Sequence, residues 1–113
     1  KLLNAVDIFY AVNMPDFFMA EHPVGSVIGR AVIGNGFLFY QGCTVGGFHT
    51  KNGTIMYPMI GENVRMFSNS TIIGDCIVGS NVDIGAGALI KNESIPENSK
   101  VFGTTPNLVI KAK

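Results

Sequence analysis

An all-β solenoid, wound from short parallel strands at a six-residue spacing, is the fold this sequence predicts, and three observations predict it. From Ile60 an aliphatic residue or methionine recurs at every sixth position, in Ile60, Met66, Ile72, Val78, Ile84 and Ile90. Four places after each stands a small or branched residue: Val64, Ser70, Cys76, Val82, Ala88 and Ser94. The triplets between them, such as "GEN", "SNS", "GSN" and "GAG", supply the Gly and Asn that accept turn conformations bulkier residues resist. A period of six matches neither the roughly 3.6 of a helix nor the 2 of a lone strand. It matches straight segments joined by tight turns, each segment pointing one aliphatic inward with the small companion in the crowded corner beside it. Three such hexads close a triangular coil, and successive coils stack as parallel strands.

In chain order, the frame starts at Val27 and continues through Ile33, Phe39 and Val45, with Ala31, Phe37 and Cys43 at the companion positions. It breaks between Val45 and Ile60, where fifteen residues are not a multiple of six. The stretch "GGFHTKNGTIMYP" is therefore expected to leave the coil as a loop over about 46–58, and loops carried by a rigid scaffold are where sites are commonly built. After Ile90 the pattern changes to "KNESIPENSKVFGTTPNLVIKAK", in which Pro96 and Pro106 are expected to end the regular coils. A terminal segment is then expected to cover the last coil, whose open backbone edge would otherwise invite aggregation.

With 113 residues the chain is expected to form a single domain over 1–113. Eight basic and eight acidic side chains balance, so no electrostatic footprint points to nucleic acid or an anionic membrane. No apolar run approaches the roughly 20 residues that span a bilayer. The opening "KLLNAVDIFY" has neither a methionine nor a signal-peptide pattern, as expected of a piece of a longer protein. Cys43 and Cys76 lie in separate apolar segments and are expected to be buried, unpaired thiols in a reducing compartment.

The motifs "CTVGG", "YPMIGENVRMFSNSTIIGDCIVGSNVDIGAGALI" and "VFGTTPNLVI" resemble the hexapeptide-repeat acyltransferases, and the serine O-acetyltransferases among them, from about Val6 to Ile110. The resemblance implies a left-handed parallel β-helix, against the usual right-handed connection of parallel strands. It implies acetyl-CoA as co-substrate, a small-molecule acceptor, a homotrimer, a cytoplasmic location, and an N-terminal helical region outside this chain. A γ-type carbonic anhydrase of the same fold binds zinc with three histidines, whereas this chain has two, so no metal is expected.

Acetyl transfer from a thioester to a hydroxyl needs a base for the hydroxyl proton, donors for the oxyanion and a groove for the pantetheine arm. Serine acetyltransferases carry an Asp in a Val-Asp-Ile stretch fifteen residues before a histidine that follows an acidic residue. This sequence reads "VDIFYAVNMPDFFMAEHPVG", so the resemblance implies His22 as the base and Asp7 as the carboxylate that orients it. Asp16 and Glu21 are further carboxylates able to line the acceptor pocket or to replace Asp7. His49, in "GGFHTKNG", is the alternative base, because sugar O-acetyltransferases of this fold carry theirs in a comparable loop. On the cofactor side, Gly46 and Gly47 admit close backbone approach. Ser68 and Ala86 stand one coil apart where relatives line the pantetheine arm, and Lys91, Lys111 and Lys113 are candidates for the CoA phosphates.

At the loop exit, where the family carries Arg-His, this chain reads Met56-Tyr57-Pro58, with Tyr57 a candidate acceptor contact. The exit thus offers no cation to a serine carboxylate. A sugar hydroxyl of capsule or lipopolysaccharide biosynthesis is the alternative acceptor, and a non-catalytic assembly module is the alternative to an enzyme.

Overall fold

The structure is a computed structural model and describes residues 7–8, 14–15, 18–21, 25–49 and 53–113. Three parallel sheets form the three faces of a triangular coil. The first face stacks β1 (Asp7–Ile8), β3 (Val27–Ile28), β6 (Thr44–Gly46), β11 (Thr71–Ile73) and β14 (Leu89–Lys91). The second stacks β4 (Val32–Ile33), β9 (Met59–Ile60), β12 (Ile77–Val78) and β15 (Ser94–Ile95). The third stacks β2 (Phe18–Ala20), β5 (Phe37–Phe39), β10 (Arg65–Met66), β13 (Val82–Ile84) and β16 (Ser99–Phe102), with β17 (Val109–Ala112) added at its end. A hairpin of β7 (Phe48–His49) and β8 (Ile55–Met56) stands outside the coil. The all-β solenoid expected from the six-residue frame is the observed fold, wound as a left-handed β-helix.

From β3 to β6 and from β9 to β16, each strand points one apolar side chain into one of three columns inside the prism. They are Ile28, Val45, Ile72 and Ile90; Ile33, Ile60, Val78 and Ile95; and Phe39, Met66, Ile84 and Val101, all buried. The companions fill the corners, and the polar ones do more than fit. The hydroxyls of Ser70 and Ser99 donate to the carbonyls three residues earlier, Phe67 and Pro96, both at 2.7 Å. The Cys76 thiol does the same toward Ile73 at 3.1 Å. Ser26 donates to the Tyr40 carbonyl at 2.7 Å and accepts the Cys43 N–H at 3.1 Å. A buried hydroxyl left without a partner would cost about 1–3 kcal/mol, so these bonds make Ser as acceptable as Ala or Val at a corner.

The coil length follows the frame where the frame is regular. Arg65 pairs with Asp83 and Thr71 with Leu89, eighteen residues apart. Across the loop, Leu38 pairs with Arg65 and Val32 with Met59, twenty-seven apart, so nine extra residues leave as the hairpin. At both ends of the coil the frame shortens. Val27 is 44% exposed and Ile28 points inward in its place. Likewise Ser94 faces out and Ile95 faces in. Both corrections have one cause: the turn from the first face to the second has one residue fewer at Arg30 and again at Asn92–Glu93, and a one-residue slip exchanges the two sides of a strand.

Pro96 does not end the coils. It sits in a turn, and the winding continues through β16. The chain then reverses, and β17 pairs antiparallel with β16 from Ser99↔Ala112 to Phe102↔Val109, covering that edge as expected. The tail is pinned on the third face, where Asp83 accepts Arg65 at 2.9 and 2.7 Å and the Lys113 ammonium at 3.2 Å. Burial alone would raise the Asp83 carboxyl, but the hydrogen bonds from Arg65 and Lys113 outweigh it and hold the group below its ordinary value.

Corner residues adopt left-handed backbone in register. Gly42 (φ 68°) lies next to Asn69 (φ 61°) of the following coil, and a Cβ at Gly42 would strike the Asn69 side chain. Gly42→Ala is expected to lower stability by about 1–3 kcal/mol. Asn69→Gly keeps the turn available and should cost less than about 1 kcal/mol. Urea unfolding of the two variants measures both, and equal losses would count against the stacked-corner account.

Candidate active site

The hairpin springs from the corner between the first and second faces. Phe48 pairs with Met56 and His49 with Ile55. Gly47 permits the close return of the chain: a Cβ there would lie 3.0 Å from Ile55 Cγ2 and 3.1 Å from the Met56 carbonyl. Gly46 differs, since a Cβ there would meet nothing within 4 Å among the described residues. Its carbonyl accepts the Gly74 N–H at 3.0 Å, which holds the hairpin root to the next coil. The hairpin lies back on the coil through Phe48, whose ring carries the Lys91 ammonium 3.9 Å from its centre.

Two cavities flank this root. One of about 290 Å³ is lined by Arg30, Gly47, Phe48, His49 and Ile55. The other, about 350 Å³, includes Met56, Tyr57, Met59, Asp75, Cys76 and Ile77 in its lining. Arg30 links them, its guanidinium carbon 4.9 Å from the centre of the Tyr57 ring. Burial pushes the Cys76 thiol up, and the hydrogen bond to Ile73 engages it. Cys76 is thereby a protonated corner donor, without the thiolate character of a nucleophile. Among the described residues, no group of three or more His, Cys, Asp or Glu side chains could hold a metal.

His22 and Asp16 lie outside the described residues. Asp7 belongs to β1, whose backbone pairs with β3 at Val27. Glu21 is half-buried at the turn into the first face, its N–H on the Phe39 carbonyl at 2.8 Å. The hairpin root gathers Gly46, Gly47, His49, Tyr57 and Lys91. Ser68 and Ala86 stand at the opposite edge of the first face, stacked through the Gly87 N–H on the Ser68 carbonyl at 2.9 Å. Lys111 is on β17 and faces Lys100 across the pair. Arg30, Phe48 and Asp75 joined the site without any signal in the six-residue frame. Arg30 meets Tyr57 only because one long coil returns the chain to the same corner, and nothing in the local sequence announces that meeting.

The model of the bacterial transferase hexapeptide family (six repeats) matches residues 57–92. A serine acetyltransferase of Staphylococcus xylosus is 36% identical over 110 residues, which is 96% of this chain and 50% of the relative. The solved serine acetyltransferase of Neisseria gonorrhoeae superposes with a TM-score of 0.84 at 33% identity, over 96% of this chain and 42% of that one. A Brucella abortus serine acetyltransferase solved in complex with coenzyme A superposes at 0.80 and 24% identity, over 96% and 42%, a likeness of fold. The chain spans about half the length of the curated relatives it matches.

Removing the charge above Phe48 should loosen the hairpin. Lys91→Met is expected to speed amide hydrogen exchange in the Ile55–Met56 strand by about two- to fivefold, the worth of an exposed cation–π contact. Unchanged exchange there would mean that other contacts hold the hairpin.

Proposed function

We propose that this chain, a hexapeptide-repeat acyltransferase domain of the serine O-acetyltransferase-like kind, transfers acetyl from acetyl-CoA to a hydroxyl of a small acceptor. The observation that carries the reading is the extent of the likeness. It runs through 110 residues and so takes in the "VDIFY…AEHPVG" segment as well as the repeats. A relative solved with coenzyme A supports the choice of acyl donor.

In this reading His22, oriented by Asp7, removes the acceptor hydroxyl proton as the oxygen attacks the thioester in a ternary complex. Asp16, Glu21 and Tyr57 border the acceptor. The pantetheine arm follows backbone at Gly46 and Gly47 beside the hairpin root, where Lys91 meets the phosphates; Ser68 and Ala86, at the opposite edge of the first face, and Lys111, on β17, stand apart from that groove. The open space over Gly46 suits such an approach.

The working assembly in this proposal is a homotrimer. The outward side of the second face supports it: Met59 and Ile77 are 54% and 58% exposed in adjacent strands, an apolar strip suited to a copy of itself. The proposed location is the cytoplasm, where acetyl-CoA and unpaired thiols such as Cys43 and Cys76 coexist. Recovery of the protein from a secreted fraction would contradict that location.

Thiol release from acetyl-CoA, with a panel of hydroxyl acceptors including serine and sugars, tests the chemistry. His22→Ala should lower the rate by about 10²–10⁴. Full activity in that variant, with loss in His49→Ala, would move the base to the hairpin. Neither turnover nor acetyl-CoA binding in the unaltered protein would sink the enzyme reading. For the assembly, Met59→Glu with Ile77→Glu should convert a trimer to monomers in sedimentation, and a trimer that persists would refute the proposed face.

A further inference from the structure

We infer that Arg30 recognises the acceptor, and that it does so through a carboxylate on that acceptor. This inference rests on the acyltransferase reading above. Arg30 stands in the shortened turn between Ile28 and Ile33, beside the hairpin root. Its guanidinium lies on the Tyr57 ring at 4.9 Å. That contact restricts the orientation of a long side chain and leaves the N–H edge free to bond.

Its charge is also uncommitted. Among the described residues the ion pairs are those of Arg65 and Lys113 with Asp83, and Arg30 makes none. Arg65 shows the contrast: its fork is occupied by both oxygens of one carboxylate. Arg30 has the same fork, is paired with no carboxylate among the described residues, and opens on a cavity.

The lining of that cavity selects the ligand. At about 290 Å³ it admits a small molecule. Its walls hold the Arg30 guanidinium, the His49 imidazole, the apolar bodies of Phe48 and Ile55, and Gly47, with no carboxylate among them. A cavity that presents a guanidinium and, among the described residues, no acidic side chain favours an anion, and a planar guanidinium edge matches the two oxygens of a carboxylate. The cation absent from Met56-Tyr57 at the loop exit is thus supplied from the preceding coil, held in place by Tyr57. Two kinds of hydroxylated acceptor carry such a group, a hydroxy-amino acid and a hexuronic acid.

Calorimetry on the full-length protein without acetyl-CoA, paired with steady-state kinetics, tests this. The ligands are L-serine and glucuronate, with L-serinamide and glucose as counterparts lacking the carboxylate; binding by one acid and not the other identifies the source. Arg30→Met should weaken the bound acid by about tenfold or more, the worth of a charge-assisted pair, with Arg30→Lys recovering part of the loss. The KM for acetyl-CoA should stay within about twofold, since the contact concerns the acceptor. The inference is overturned if Arg30→Met binds the acid as the unaltered protein does. It is equally overturned if the loss extends to the carboxylate-free counterparts, or falls on acetyl-CoA instead. Binding of the acid that depends on Arg30, without acetyl transfer, would support this assignment while counting against the acyltransferase reading.

Discussion

A left-handed turn stacked on the left-handed turn of the next coil is the constraint on which the rest of this fold depends. Where the second face meets the third, Gly36, Asn63, Asn81 and Asn98 all have positive φ, and where the third meets the first the series is Gly25, Gly42, Asn69 and Gly87. An L-residue in that region costs about 1–2 kcal/mol, and Asn bears it best after Gly. Its side chain also ties neighbouring coils here: the Asn92 Oδ1 accepts the Asp75 N–H at 2.7 Å, and the Asn81 Nδ2 donates to Asn98 Oδ1 at 3.1 Å. Where a glycine of one coil stacks on an asparagine of the next, the reason is spatial. A Cβ at Gly36, Gly42 or Gly74 would collide with the Asn63, Asn69 or Asn92 side chain of the neighbouring coil. The turns hold the strands in register, and the register keeps one aliphatic per strand in each inward column.

The corner between the first and second faces departs from that pattern, and the candidate site lies there. Positive φ is present in its later coils, at Gly74 and Asn92. The first coil instead takes a short turn through Arg30, and the second releases the hairpin. With the stacked turn interrupted, Arg30 can reach Tyr57, Phe48 can fold back under Lys91, and cavities open on both sides of the root. The rigid part of the solenoid contributes position, and the irregular corner contributes accessible polar groups.

Much of this was legible beforehand because the repeat is a local code. The inward residues from Ile60 to Ile90 follow from spacing alone, as do the buried companions Ser70 and Cys76 and the departure of the chain after Gly46. The frame misjudged Val27 and Ser94 because a turn shortened by one residue leaves no mark in composition, yet moves the inward position by one. Pro96 misled for a related reason. Proline is excluded where an N–H is needed by the next coil, as at the equivalent Gly61 and Gly79, but Pro96 follows the last strand of the second face and has no further coil to donate to.

The sequence by itself determined the solenoid, its coil length and the place where a loop leaves the coil. These are statements about order along the chain, and a six-residue period makes order sufficient. The candidate pair of His22 and Asp7 came from the resemblance to the serine acetyltransferases, not from the period. Only the tertiary structure decided what stands beside what at the hairpin root: Arg30 over Tyr57, Lys91 over Phe48, Asp83 shared between Arg65 and Lys113. Those partners are separated by a whole coil or more. Their meeting depends on how many residues each turn and the hairpin consume, a sum over the fold that no single stretch of sequence contains.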